Sequence, residues 1–212
     1  MSLLLNVPFA EKDEAKSLGA KWNPSCKKWY VESRQDYPKF SKWLLNDNDE
    51  TFIICDYFYI IEGFRECFKC HHKTRVIGFG IENYYTLWND PEEPFYYNSG
   101  IIHIASELEG LPASFYDFLK KEYNYYNSYS KTLNSYCYSN HCQKCNMLQG
   151  SFFLFSEVDS PFFIDSISSA AKLTLSRIKL EQDIQADIGL GYGSEDYLIK
   201  KHAKIIDINY SF

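Results

Sequence analysis

The sequence lacks any apolar run that approaches the ~20 residues needed to span a bilayer, so we expect no membrane-embedded segment. Residues 1–8 lack the basic region and the longer apolar core of a secretory signal, which argues against export to an oxidising compartment. A nucleophile elbow, a two-histidine metalloprotease helix and a deaminase signature are also missing. We therefore expect a cytoplasmic protein without a membrane partner, assign no catalytic residue, and favour a binding role over an enzymatic one.

The chain also lacks an overall positive charge, since 22 Lys and Arg residues stand against 28 Asp and Glu residues, a net charge of -6. Affinity for the nucleic-acid backbone comes mostly from cationic contacts, so an acidic chain is a poor non-specific binder. The charge is uneven, because residues 1–43 carry eight basic and five acidic side chains. If the protein binds nucleic acid, we expect the contact in this N-terminal segment.

Cysteine residues supply the strongest chemical signal in the chain. Two Cys-x-x-Cys turns, called knuckles here, are formed by Cys67, Cys70, Cys142 and Cys145. This spacing lets each turn present two sulfurs to one tetrahedral ion, so the two knuckles predict a four-thiolate Zn²⁺ site. A closed shell of four cysteines leaves no open coordination position, so such a zinc would be structural and would not activate water.

The separation of the knuckles is unusual, because 71 residues lie between Cys70 and Cys142, against about 15–20 in a compact site. The zinc would therefore clamp the two ends of a large insertion, which we assign to residues 82–137. Two alternatives stay open, namely two pairs of free thiols or two disulfides, although the odd total of seven cysteines argues against disulfides. A flanking histidine also has the chemistry to replace a thiolate, and three are present: His71, His72 and His141.

Residues 1–45 are predicted to form a small βαββα module. Residues 3–7 are apolar and end at a proline, and residues 11–18 have helical spacing with Gly19 as a C-terminal cap. Residues 21–31 read as a hairpin, and residues 36–45 as a second helix. The polar residues 46–50 are predicted to be a linker to the rest of the chain.

The same segment resembles a small domain of unknown function that is appended to plasmid- and phage-borne primases, helicases and topoisomerases. The runs that carry the resemblance are Leu5-Asn6-Val7-Pro8-Phe9, Leu18-Gly19-Ala20-Lys21-Trp22-Asn23-Pro24 and Lys27-Lys28-Trp29-Tyr30-Val31. The resemblance covers about a fifth of the chain and implies an association with DNA processing through neighbouring domains, which is weaker than a demonstrated activity.

The N-terminal module has the side chains with which a protein contacts nucleic acid, because lysines neutralise phosphates and aromatic rings stack on unpaired bases. The candidate residues are Lys12, Lys16, Lys21, Lys27, Lys28, Trp29 and Tyr30. The alternative is that Trp22 and Trp29 form the core of a very small domain and that the lysines are a solvated surface.

Residues 51–212 are predicted to form a zinc-ribbon body with a helical insertion, which makes the whole protein α+β. Apolar strands enter and leave the first knuckle, residues 112–126 have the apolar stripe of a helix, and residues 152–155 are predicted to be a strand. Residues 140–154 also resemble the second half of zinc ribbons in uncharacterised bacterial proteins.

Two functions fit these observations. The first is a nucleic-acid-associated accessory protein of a bacterium or its mobile elements, with a structural zinc and a DNA or RNA partner. The alternative is a non-catalytic protein-interaction factor, such as an immunity protein, antitoxin or inhibitor, whose acidic and aromatic surface complements a basic partner. Acidic residues are numerous enough for a magnesium site, but the sequence does not separate this from a solvated acidic surface: Glu62, Glu66, Asp90, Glu92, Glu93, Glu107, Glu109 and Asp117.

Overall fold

A computed structural model describes residues 1–44, 50–88 and 95–210 of the chain. The protein contains fifteen strands and short helices in this part of the chain, so the predicted α+β class is confirmed. Positions 46–49 of the predicted linker lie outside the described residues. Among the helices of the described residues, none combines the length and the apolar character needed to cross a bilayer.

The N-terminal unit, residues 1–44, is built on a three-stranded antiparallel sheet with the strand order β1-β3-β2. Its strands and α-helix are β1 (Leu3–Leu5), α1 (Lys12–Ser17), β2 (Lys21–Asn23) and β3 (Lys28–Val31). One short 3₁₀ helix, Phe9–Glu11, precedes α1. A longer 3₁₀ helix, Arg34–Trp43, stands where the sequence predicted an α-helix. Pro38 lies inside this helix and has no N–H to donate, which removes one hydrogen bond of a regular α-helix.

The body is dominated by a nine-stranded sheet in which every described pairing but one is antiparallel. Its strands are β4 (Glu50–Ile54), β5 (Tyr57–Glu66), β6 (Lys73–Ile81), β7 (Tyr84–Trp88), β8 (Phe95–Asn98), β9 (His103–Glu109), β13 (Thr174–Lys179), β14 (Ile184–Leu190) and β15 (Lys204–Ile208). Their order across the sheet is β15-β13-β5-β6-β9-β14-β4-β7-β8, and only β13 and β15 run parallel.

Both faces of this sheet are buried in its centre, which explains the uninterrupted apolar run in β5. Phe58 and Ile60 pack into a cluster covered by helix α2 (Ala113–Tyr123). Tyr59 and Ile61, which alternate with them, pack into a second cluster on the opposite face. That face is covered by three single-turn helices: α3 (Phe152–Phe155), α4 (Ile167–Ala170) and α5 (Ile199–His202). A 3₁₀ turn, Asp196–Leu198, leads into α5.

One prediction for the body agrees with these elements and one is corrected. Within the described residues of the insertion 82–137, the predicted helix is present as Ala113–Tyr123, while strands occupy most of the remainder. Phe152–Phe155 is a helical turn and not a strand, because a four-residue apolar run has no periodicity that separates the two structures. The second knuckle belongs to a separate three-stranded sheet: β10 (Tyr125–Ser130), β11 (Ser135–His141) and β12 (Leu148–Gln149).

The N-terminal unit shares a hydrophobic cluster with the body. Leu3, Leu5 and Phe40 pack in one group with Ile53 and Leu87, which lie on strands β4 and β7 of the large sheet. All five side chains are buried to 1% exposure or less. The small unit therefore completes its core against the sheet of the body.

A buried charge cluster fixes the same junction. The side chain of Asp183 is fully buried and accepts two hydrogen bonds from the Arg34 guanidinium, at 2.6 and 2.7 Å, and one from the Tyr37 hydroxyl at 2.7 Å. Arg34 also pairs with Asp56 at 2.8 Å. These contacts satisfy the carboxylate that burial would otherwise destabilise, and they tie the unit to two loops of the body.

Replacement of Arg34 by Met should destabilise the protein strongly. The change leaves the Asp183 carboxylate buried without its cationic partner, although Tyr37 still donates to it, and loss of one partner of a buried ion pair costs about 3 kcal/mol or more. The free energy of unfolding measured by urea denaturation checks this expectation. Lys39→Met, which removes an exposed pair with Asp36, is the matched control and should cost less than about 1 kcal/mol. Equal stability of the two variants would contradict the proposed contribution of the charge cluster to the free energy of unfolding.

Candidate metal centre and nucleic-acid face

The two knuckles converge on one point although 71 residues separate them in the chain. The sulfur atoms of Cys67, Cys70, Cys142 and Cys145 all lie within 4.8 Å of one another. Across the two knuckles, Sγ of Cys67 is 3.7 Å from that of Cys145, and Sγ of Cys70 is 3.6 Å from that of Cys142. A tetrahedral shell with Zn–S bonds of about 2.3 Å has its sulfurs about 3.8 Å apart. The spacing is therefore compatible with a metal site.

The distances contradict the disulfide alternative. A disulfide requires sulfurs about 2.05 Å apart, and none of the seven cysteines is disulfide-bonded in the structure. None of the three flanking histidines joins the sulfur cluster. His71 is exposed and contacts Glu66 at 2.7 Å, whereas His141 is buried and stacks on the ring of Tyr126 at 3.8 Å. The ligand set that the fold brings together is sulfur alone.

The two knuckles have the same local geometry. Each first cysteine donates its N–H across the turn, Cys67 to the carbonyl of His72 and Cys142 to the carbonyl of Met147, both at 2.9 Å. The residue after each second cysteine, His71 or Asn146, has a positive φ of 56° or 59°. This left-handed residue closes each turn so that both sulfurs point to the same side.

Backbone amides around the knuckles favour the thiolate form of the first cysteines. Burial disfavours ionisation of Cys67, but the N–H groups of Cys70 and Lys69 and the neighbouring thiols outweigh it and lower its pKa to about 6. The same pattern holds at Cys142, where burial is outweighed by the N–H groups of Cys145 and Lys144 and the pKa is again lowered. At Cys70 the His72 N–H lowers the pKa, but burial and the side chains of Cys145, Cys142 and Cys67 outweigh it and raise the pKa to about 12. Thiolates are the form that binds metal, and the lowered pKa values of Cys67 and Cys142 are compatible with a metal site.

Buried polar side chains link the second knuckle and its sheet to the first knuckle and the large sheet. Gln149 is buried and directs its Nε2 to Sγ of Cys67 at 3.6 Å and to the carbonyl of Met147 at 2.7 Å. Asn140 is also buried and pairs with the backbone of Ile77 on β6, accepting from its N–H at 2.7 Å and donating to its carbonyl at 2.8 Å. The Asn140 amide thus takes the place of a neighbouring strand and fastens the small sheet to the large one.

The candidate nucleic-acid residues are distributed over three parts of the N-terminal unit. In the hairpin of β2 and β3, Lys21 stands opposite Tyr30, and Asn23 opposite Lys28, so these four side chains share one face. This face is the outer one, because Trp29 and Val31 alternate with them and stand opposite the buried Leu5 and Leu3. The predicted residues on the outer face are Lys21, Lys28 and Tyr30. Lys12 and Lys16 lie on α1, and Lys27 lies in the hairpin turn.

The tryptophans are arranged differently from either expectation. Trp29 is partly buried and packs against the N-terminal cluster, while Trp22 stands edge-to-face against it at 5.6 Å and remains 50% exposed. Trp22 is therefore neither a full core residue nor one of the predicted contacts, yet its ring is the more accessible of the two. Its place near the end of the sheet, where no further strand covers it in the described part of the chain, was not readable from the hairpin pattern.

The carboxylates do not supply a second metal site in the part of the chain that the structure describes. Within residues 1–44, 50–88 and 95–210, the four cysteines are the one group of three or more ligand side chains whose donor atoms come together. Glu62 is engaged by Arg75 at 3.3 Å, and Glu66 by His71. Asp90, Glu92 and Glu93 lie outside the described residues.

Comparison with known proteins identifies the N-terminal unit. Residues 3–44 match the family model described as "Domain of unknown function (DUF5710)". Two Escherichia coli proteins named "DNA primase TraC" are each 54% identical to this chain over 39 residues, which is 18% of the chain. The resemblance of this segment to a small domain carried by primases is thereby confirmed.

These matches cover only a short segment of each protein, so they bear on the N-terminal unit alone. The aligned segment spans 3% of one primase and 4% of the other, so it represents a small part of those proteins. No solved structure matches the chain. The likeness describes the N-terminal unit and leaves the function of the body to be argued from its own residues.

Replacement of Asn140 by Ala should weaken the attachment of the second knuckle. The change leaves the N–H and carbonyl of Ile77 without their present partners, and each unsatisfied buried group costs about 1–3 kcal/mol. We expect a loss of about 2–4 kcal/mol in the free energy of unfolding, measured by urea denaturation. Asn127→Ala, an exposed asparagine of the same hairpin, should change stability by less than about 0.5 kcal/mol. A variant at position 140 as stable as this control would disprove the strand-like role of Asn140.

Proposed function

We propose that this protein is a nucleic-acid-associated accessory protein of a bacterium or its mobile elements, held together by one structural Zn²⁺. The observation that carries the proposal is the combination of two features in one chain. The N-terminal unit is similar to a segment of proteins named DNA primase, and the body gathers four cysteine sulfurs within 4.8 Å.

The donor set supports zinc over other metals. Four cysteine sulfurs in tetrahedral spacing are typical of Zn²⁺ or of iron–sulfur chemistry, whereas hard cations prefer oxygen ligands. Two equivalent knuckles at the tips of hairpins supply two sulfurs each, which is the arrangement of structural zinc sites. Cys67, Cys70, Cys142 and Cys145 would hold the ion, and a shell of four thiolates leaves no position for a substrate.

The position of the knuckles explains what the metal would contribute. The first joins β5 to β6 in the large sheet, and the second joins β11 to β12 in the small one. An ion bound by both would cross-link the two sheets and fix the ends of the long segment between them. Because the metal binds the folded state in preference to the unfolded chain, its binding free energy would stabilise the body.

The N-terminal unit supports contact with nucleic acid through its outer face. Lys28 and Lys27 are exposed at the hairpin, and Lys21, which pairs with Glu32 at 2.6 Å, lies beside them in the sheet. Tyr30 stands opposite Lys21 on the same face and is partly exposed. Cations that neutralise phosphates next to an aromatic ring are the usual elements of single-strand binding.

Substitution of the knuckle cysteines tests the metal. The purified protein should contain one zinc per chain, and Cys67→Ser or Cys145→Ser should lose the metal and the cooperative thermal unfolding of the body, because structural zinc contributes about 10–16 kcal/mol in small zinc domains. Metal content is measured by chelator release, and folding by a thermal melt. Cys26→Ser, at an exposed thiol outside the cluster, is the control and should keep both properties. A metal-free wild-type protein with cooperative thermal unfolding would overturn the zinc proposal.

Charge reversal at the hairpin tests nucleic-acid binding. Lys27→Glu with Lys28→Glu should weaken binding of a short single-stranded oligonucleotide by about tenfold or more and flatten its salt dependence, since each lost phosphate contact lowers the slope by about 0.7. Fluorescence anisotropy at two salt concentrations measures both effects. Lys120→Glu with Lys121→Glu, an exposed lysine pair on α2, is the matched control. Equal losses in both double variants would point to bulk charge and against a defined face.

A protein partner is the second candidate, and one feature favours it. The hairpin of β10 and β11 exposes Tyr129, Leu133 and Tyr136 at 47%, 64% and 74%. Its residues are largely Tyr, Ser and Asn, which supply rigid contact area and adaptable hydrogen bonds in protein recognition. If the wild-type protein binds no oligonucleotide at low salt and a stoichiometric partner is lost on Tyr136→Ala, this candidate replaces the first.

A further inference from the structure

The first knuckle carries phenylalanine side chains that face solvent. Phe64, near the end of β5, is 54% exposed, and Phe68, inside the Cys67–Cys70 turn, is 63% exposed. Burial of apolar area contributes about 25 cal/mol per Å², so a partner that covers these two rings would gain binding free energy. Neither ring is needed to fill a core, because both lie outside the three hydrophobic clusters of the described residues.

Cationic side chains lie next to both rings. The ammonium of Lys73 lies 5.0 Å from the centre of the Phe64 ring, and exposed Lys69 directly follows Phe68. Residues 64–75 and 142–147 together carry five Lys and Arg residues and one Glu. A filled four-thiolate zinc site adds two negative charges, so the surroundings of the knuckles remain positive in a chain whose net charge is -6.

A cleft opens beside the Phe64 ring. Its volume is about 570 Å³, within the range of small-ligand sites. Lys73 and Lys172 line it together with the hydroxyl-bearing residues Ser166, Ser168 and Ser169. Two carboxylates also line it, Asp159 and Asp165, and the latter already accepts a hydrogen bond from Ser166 Oγ at 2.9 Å.

We propose that this knuckle surface, defined by Phe64, Lys73 and Lys172 around the cleft and by Phe68 and Lys69 in the adjoining turn, is a second contact site for single-stranded nucleic acid. The inference rests on the proposed function and extends it from the N-terminal unit to the body. Unpaired bases stack on Phe64 and Phe68, and the lysines meet the phosphates on either side. A duplex cannot use the surface in this way, because its bases are already stacked on one another.

The composition of the surface favours nucleic acid over a protein partner. Aromatic residues, phenylalanine included, are common at both kinds of interface, but lysine is depleted at protein–protein interfaces, so the lysines carry the distinction. The knuckle surface combines phenylalanine with lysine, whereas the β10–β11 hairpin, Tyr125–Ser130 and Ser135–His141, has tyrosines and serines without a lysine in either strand. The two surfaces of the body are therefore suited to different partners.

The experiment compares two matched double variants of the full-length, metal-loaded chain. Phe64→Ala with Lys73→Ala should weaken binding of 15-nucleotide oligo(dT) and oligo(U) at least fivefold in fluorescence anisotropy, since each stacked base contributes about a fivefold to hundredfold gain. Tyr136→Ala with Lys131→Ala removes an exposed ring and a lysine from the β10–β11 hairpin and should leave affinity unchanged. Zinc content and the thermal melt confirm that both variants are folded.

Photocrosslinking of the wild-type protein provides a readout that no folding defect affects. An oligonucleotide with 4-thiouridine should crosslink to the peptide that contains Phe64 and Phe68, and excess single strand should compete better than duplex. Crosslinks confined to residues 21–31, or equal competition by duplex, would overturn the knuckle surface.

The outcomes separate this inference from the proposed function. Binding that is lost in the Lys27/Lys28 variant but unchanged in the Phe64/Lys73 variant overturns the knuckle surface and leaves the proposed function intact. Binding lost only in the Phe64/Lys73 variant supports the knuckle surface and overturns the proposed contact at the outer face of the N-terminal unit. Failure of the wild-type protein to bind any oligonucleotide at low salt overturns both.

Discussion

The convergence of four cysteine sulfurs is the constraint on which the body depends. Sulfurs that are prone to ionise repel one another at 3.6–3.7 Å, and two of these cysteines have lowered pKa values because backbone N–H groups point at them. In the proposed zinc site, the cation would offset this charge. The large sheet and the small sheet meet at this point, so an ion bound there would hold β5–β6 against β11–β12.

The N-terminal unit is attached by a different kind of interaction. Its core continues into the body through Ile53 and Leu87, while Arg34 and Tyr37 satisfy the buried carboxylate of Asp183. The apolar contacts provide buried surface at the junction, whereas the ion pair fixes the orientation of the unit. A small displacement would leave Asp183 buried and unpaired. A unit of 44 residues, whose small core is completed by side chains of the body, gains stability and a fixed orientation from this junction.

The features predicted correctly from the sequence are those with a local signature. Cys-x-x-Cys spacing needs no knowledge of the fold, and the stripe of Phe115, Leu119 and Tyr123 gives helix α2 directly. The strands β10 and β11 were missed because Tyr, Asn and Ser replace the usual apolar alternation. Asn140 could not be recognised either, since its strand-like pairing with Ile77 is a contact over 63 positions. The separation of the predicted lysines into a sheet face, a helix and a turn likewise depends on strand register.

Net charge is a poor guide to the function of this chain, because its charges are segregated. A protein at -6 is expected to repel polyanions, yet the hairpin of the N-terminal unit and the surroundings of the first knuckle are both locally basic. At physiological ionic strength the Debye length is about 8 Å, so a phosphate at either surface responds to the nearby lysines and much less to distant carboxylates. In the proposed function, the remaining acidic surface would restrict polyanion contact to the two basic regions and so raise selectivity for a strand that can reach both.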